Sequence, residues 1–124
     1  MSIIESIDHT NIPTSIRRIL EKYVPDPDQQ YNHIAITTHK NRVVAIGRNI
    51  YAKSHPMQFK FATQAAMGWK QYLHSEIAAL VKSRGKIDTM YVFRVDSFGN
   101  LKNSAPCPIC QLAILESGID CYHS

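Results

Sequence analysis

From residue 33 onward the chain alternates short β-branched runs with helical stretches, and this order restricts its topology more than any other feature. "HIAITT" (33–38) and "RVVAIGRN" (42–49) read as two strands around the polar turn "HKN", a β-hairpin. "HSEIAALVKSRG" (74–85) reads as a helix with Gly85 as its C-cap. "TMYVFRV" (89–95) is dense in strand formers, and "DSFGN" turns the chain after it. "CPICQLAILESG" (107–118) has proline at its start and Gly118 past its end, the usual punctuation of a helix. "IDCYHS" reads as a last short strand. A strand–helix–strand–helix–strand series implies parallel neighbours joined by right-handed crossovers. The expected fold class is therefore α/β, a three-layer α/β/α arrangement whose mixed sheet has an opening hairpin and parallel strands after it.

The segments before and between these elements are shorter on signal. "PTSIRRILEKYV" (13–24) places Ile16, Ile19, Leu20 and Tyr23 on one helical face, and "PDPD" breaks the chain after it. "IYAKSHPMQFKFATQAAMGWKQY" (50–72) is rich in aromatics and lysines, with a short helix expected near 57–66. With 124 residues the chain suits one domain, 1–124, made of a helical lead (1–31) and a core (32–124). No segment approaches the ~18 apolar residues of a membrane span, and "MSIIESIDHTNIP" lacks the charged-then-apolar plan of a secretory signal. Three cysteines form no even disulfide set. A reducing, cytoplasmic setting is the expectation that follows.

Charge is unevenly spread. Lys40, Arg42, Arg48, Lys53, Lys60, Lys70, Lys82, Arg84 and Lys86 face a single acid, Glu76, over residues 40–86, within a chain of net charge +4. A basic central segment suits a phosphate-bearing partner, a nucleotide or a nucleic acid; a solvated basic face explains it as well.

Glu76 belongs to "HSE", residues 74–76, and that motif gains meaning from "APCPICQLAI" (105–114). Cys107 and Cys110 are three apart, one turn along the same helical face. Both fall in a first helical turn, where free N–H groups and the helix dipole favour thiolates. Two thiolates and the His74 imidazole make three protein ligands, the number a catalytic zinc keeps when it leaves its fourth position open. Two helices that follow adjacent parallel strands point their N-termini into one crevice, which would bring His74 to the cysteines. Glu76 then has a role other than coordination, as the carboxylate that moves protons between water and substrate. Taken singly, a histidine at a helix start is an ordinary cap, and Cys-x-x-Cys is ambiguous between redox, metal and burial. A redox role for the cysteines would leave His74 and Glu76 unexplained. Cys121 lies out of spacing and reads as core. His9, His33, His39 and His123 are scattered, and no second metal set is expected.

His-x-Glu at one helix start, 29 intervening residues, then Pro-Cys-x-x-Cys at the next is the arrangement of zinc-dependent base deaminases. On "HSE" and "PCPIC" the chain resembles the cytidine/deoxycytidylate deaminase superfamily, over about 32–122. The resemblance implies one catalytic zinc per chain held by His74, Cys107 and Cys110, with Glu76 as proton shuttle. It implies a substrate contact from Asn49, since "GRN" (47–49) resembles the family's Gly-x-Asn after the second strand, and another from the Ala105–Pro106 backbone. Ser75 stands where the family more often has alanine or valine. Ser75, Lys53 and Tyr72 complete the candidate substrate contacts.

The reaction so implied is hydrolytic removal of an exocyclic amine, with ammonia released. A cytosine nucleotide, dCMP-like, or the free nucleoside is the first choice, because a histidine ligand and "QLA" after Cys110 depart from the free-cytidine enzymes that use three cysteines. A nucleic-acid deaminase acting on cytosine or adenosine in single-stranded DNA or tRNA is the alternative. For it, Lys53, Phe59, Lys60, Phe61, Trp69, Lys70 and Tyr72 would form an aromatic and basic platform. A catalytically inactive zinc module is a second alternative, which leaves Glu76 without a purpose. A sheet that ends on the exposed strand of 119–124 leaves an edge to cover. A homo-oligomer is therefore expected, and no membrane partner.

Overall fold

Alternation decides which side of the sheet each strand residue serves, and the two sides are dressed differently. In the computed structural model, which describes residues 2–68 and 72–124, β1 (Ile4–Ser6) precedes a short 3-10 turn and α1 (Thr14–Lys22). The hairpin β2 (Asn32–His39) and β3 (Arg42–Arg48) follows, then α2 (Pro56–Gln64), α3 (Ser75–Ser83) and β4 (Thr89–Val95). β5 (Leu101–Lys102), α4 (Pro108–Ser117) and β6 (Asp120–His123) complete the chain. The six-stranded sheet runs β1-β6-β4-β2-β3, with β5 pairing β4 beyond the end of β6.

Ile34 and Ile36 of β2 and Tyr91 and Phe93 of β4 pack with Ile12, Ile16, Ile19 and Leu20 of the α1 side. The intervening Ala35, Met90 and Val92, with Cys121, pack on the other side with Ala79 of α3 and Ile114 of α4. α2 lies over that second layer, where Phe61 and Ala62 meet Ile77, Ile109 and Ala113. The small residues Ala35 and Ala79 let α3 approach the sheet closely, and Gly47 sets the limit. A Cβ on Gly47 would stand 2.4 Å from both the Ala79 nitrogen and the Ser75 oxygen, so α3 lies directly on the β3 backbone. The expected mixed α/β/α architecture and opening hairpin are present, β2 and β3 being antiparallel and β4 and β6 parallel.

Four expectations need correction. β3 and β4 run parallel but are not neighbours, because β2 pairs with both. The α3 C-cap is Arg84, in the left-handed region at φ 43°, not Gly85. Ser83 causes this: its hydroxyl is held by the Ala79 carbonyl and by Thr37 of β2, both at 2.7 Å, which pins the helix end one residue early. The strand at 120–123 is not an exposed edge, since β1 pairs with it in parallel register from Ile4↔Cys121 to Ser6↔His123. Nor do 59–61 form a platform, because Phe61 is 4% exposed in the core and Lys60 pairs with Glu116 of α4 at 3.1 Å. Trp69 and Lys70 lie outside the described residues. Among the described residues, no helix is long and apolar enough to cross a membrane.

Candidate metal centre and active site

His74 and Cys107 occupy equivalent places, each the N-cap of its helix with extended backbone. The two helix starts lie side by side although the long strands before them, β3 and β4, are separated by β2. His74 Nδ1 lies 3.5 Å from the Cys107 sulfur and 3.4 Å from that of Cys110, and the three ligand atoms all lie within 4.8 Å of one another. Imidazole and thiolate are the donors zinc takes in four-coordinate sites, and three of them leave one position free. The residues therefore fit a metal ion.

The first turn of α4 polarises the pair of sulfurs unequally. A hydrogen bond from Cys110 is the main reason the Cys107 thiol is held down at about 4, with the His74 ring adding to it. Burial pushes the Cys110 thiol well up. A cation among them would favour both as thiolates.

His74 is held from two directions. Its backbone N–H donates to Gln58 Oε1 of α2 at 3.1 Å, and the Tyr72 ring lies tilted against its imidazole with centroids 4.6 Å apart. Nε2 is buried with no hydrogen-bond partner among the described residues. Among the described residues, the ring contact with Tyr72 and the backbone bond to Gln58 are what orient His74.

Glu76 is 4% exposed in the wall of a pocket of about 190 Å³. The pocket is also lined by His74, Ser75 and Cys107 from the two helix starts, and by Tyr31, His33 and Asn49 from the hairpin. Tyr51, Tyr72 and Ala105 complete its lining. Ser75 donates its hydroxyl to Glu76 Oε1 at 2.7 Å, and no cation forms an ion pair with that carboxylate among the described residues.

Of the sequence candidates, His74, Ser75, Glu76, Asn49, Tyr72, Ala105 and Cys107 meet at this pocket, and Cys110 sits behind it. Asn49 spends its amide on the hairpin: Oδ1 accepts from His33 N–H at 3.0 Å and Nδ2 donates to the Tyr31 carbonyl at 2.9 Å. It shapes the wall more than it offers free donors. Pro106 is buried, its carbonyl taken by the Gln111 side chain at 2.9 Å. Lys53 is exposed and does not line the pocket; its carbonyl instead accepts from Leu73 N–H at 2.8 Å.

Sequence reasoning missed His33, Gln58 and Ser104. Burial lowers the pKa of His33 while the nearby Glu76 opposes that shift. Ser104 donates to the Val92 carbonyl at 2.8 Å and bonds Ser124, which ties the approach to Cys107 onto β4. A polar residue one position before "APC" was the only trace of this brace in the sequence.

No protein-family model matches the chain, and no curated protein matches it by sequence. Among solved structures, it is similar to a mutant cytidine deaminase from Mycobacterium tuberculosis, with a TM-score of 0.51 and 17% identity. The match covers 96% of this chain and 86% of that one, and at such identity it establishes a shared fold.

Proposed function

We propose that this chain is a zinc-dependent hydrolytic deaminase that converts a cytosine nucleotide or nucleoside to its uracil form and releases ammonia. The observation that carries the reading is Glu76. A structural metal site has no use for a carboxylate beside it, and burying one without a cation is costly unless its charge is employed. Glu76 is such a group, on the pocket wall next to the three metal-ligating side chains. The fold shared with a cytidine deaminase supports the same reaction class.

A zinc ion held by His74, Cys107 and Cys110 would supply a Lewis acid that makes water nucleophilic near neutral pH. The chain's own residues do the rest. Glu76 takes a proton from the attacking water and delivers it to the ring nitrogen, then helps transfer one to the departing amine. One water is consumed and one ammonia released per base. Ser75 fixes the orientation of the carboxylate through its 2.7 Å bond. Tyr51 and Tyr72, with ring centroids 4.8 Å apart, give the mouth an aromatic surface on which a base can stack. Asn49 keeps Tyr31 and His33 in place on the opposite wall. A cytoplasmic, self-associating enzyme belongs to the same reading.

The test is a mixed panel of cytidine, deoxycytidine, their phosphates, adenosine, a cytosine-bearing single strand and a tRNA stem-loop, with products separated by chromatography. Glu76→Gln should retain zinc and lose turnover by at least about a hundredfold, the usual size of a lost acid–base group. Cys107→Ala should lose zinc and turnover together. Undiminished turnover in Glu76→Gln would sink the mechanism, and conversion of a polymer alone would overturn the choice of substrate.

A further inference from the structure

Arg94 has no part in the chemistry above, yet the sheet carries it against two residues of the pocket wall. The β2–β4 register sets it directly opposite His33, whose ring lines that pocket. Its guanidinium carbon stands 4.9 Å from the centroid of the Tyr31 ring, another part of the same wall. On its other side β5 places Lys102 opposite Arg94, so His33, Arg94 and Lys102 form a row across three strands and share one face. Lys102 is spoken for in part by Asp96 at 3.8 Å, whereas Arg94 forms no ion pair among the described residues. Arg48 makes a similar contact with Tyr23, but it lines a different cavity.

We propose that Arg94 is the phosphate-recognition residue of this site, so that the substrate is a cytosine nucleotide whose phosphate leaves the pocket along the row from His33 to Lys102. This rests on the deaminase reading and names its substrate class. The pocket's volume, about 190 Å³, is below the several hundred Å³ of a site that encloses a whole ligand, so part of the substrate must lie at the rim. A guanidinium held over an aromatic ring has lost part of its freedom, and a guanidinium is the side chain that can grip a phosphate with two bonds. The phosphate is that of a mononucleotide or of a strand, and the Arg94 contact is the same for both. Neither Lys53, the lysine suggested by the sequence, nor Arg94 lines the pocket itself, but Arg94 packs on the wall residue Tyr31 and stands opposite the wall residue His33.

Zinc-loaded wild type, Arg94→Gln and Arg94→Lys are assayed on deoxycytidine, dCMP and a short cytosine-bearing oligonucleotide. Arg94→Gln should lower kcat/KM for dCMP by about tenfold or more through KM, as loss of a charged hydrogen bond implies, and leave deoxycytidine within about twofold. Arg94→Lys should recover part of the preference. Loss on the oligonucleotide alone would uphold phosphate recognition and assign the phosphate to a strand. Equal loss on deoxycytidine and dCMP, or no loss on any of the three substrates, overturns the proposal. If nothing is deaminated, the deaminase reading fails, and calorimetric titration with dCMP and deoxycytidine decides this one separately. Weakening of dCMP binding alone in Arg94→Gln upholds it, and equal weakening or none overturns it.

Discussion

Cys121 shows what a cysteine does in this fold when no metal calls on it. Its side chain is fully buried on β6, between the register partners Ile4 and Met90, and burial pushes its thiol up to about 12. In the unfolded chain the thiol ionises from about pH 9, while in the folded chain it stays protonated, so stability is full below pH 9 and falls as pH rises toward 12. The slope is at most about 1.4 kcal/mol per pH unit. Urea unfolding of wild type at pH 8 and pH 10 should show a larger loss than the same pair of measurements on Cys121→Ala; parallel losses would refute the assignment. The same scale shows why the candidate metal ligands are legible in the sequence and their neighbours are not. His74, Glu76, Cys107 and Cys110 announce themselves through spacing along two helix starts. His33 and Arg94 belong to no spaced motif in the chain, and only strand register places them against Tyr31 and Glu76. Ser104 likewise acts through β4, twelve residues away in sequence.

At the scale of elements, the decisive contact is the one without a side chain. Gly47 lets the backbone of α3 rest on β3, and the first residue whose oxygen it meets is Ser75, between His74 and Glu76. Gly47→Ala should push α3 outward, lowering stability by about 1–3 kcal/mol or more, and carry His74 and Glu76 away from Cys107 and Cys110. Urea unfolding together with zinc content per chain checks this, and a variant of unchanged stability that still binds one zinc would contradict it. "GRN" drew attention in the sequence for its asparagine, because close backbone approach leaves no periodicity to read. Strand periodicity was plain where strands were long: β4 spans the expected 89–95. It was silent for β1 and β5, whose three and two residues complete less than two periods of alternation. Helix ends followed their punctuation at Gly118 and not at Gly85, where the Ser83 anchor in the sheet overrode it.

For the whole molecule, two lysines of the basic middle of the chain, Lys60 and Lys82, are engaged away from the pocket. Lys60 faces α4, Lys82 donates to the Ile46 carbonyl on the β3 side, and Arg94, from outside that segment, contacts Tyr31 of the pocket wall. Sequence charge pointed to a phosphate without pointing to its seat. The outer faces of α2 and α4 carry Phe59 and Leu115, each 53% exposed, around the Lys60–Glu116 pair. Self-association through such a face is the expected outcome at micromolar concentration. Light scattering should give a mass that is a multiple of 14.1 kDa, and a monomer mass there would refute it.

The pairing of β1 with β6 has a consequence in time. Ile4 and Cys121 are among the first and last of the described residues to leave a ribosome, and at about 5–20 residues per second the earlier waits on the order of ten seconds for the later. During that interval residues 4–6 have no partner strand, and neither cysteine of the metal trio has been made until its final seconds. A nascent chain stalled before residue 107 would therefore hold its histidine ready, its first strand adrift and its sheet open along β4, a state to which a chaperone has access and a metal does not.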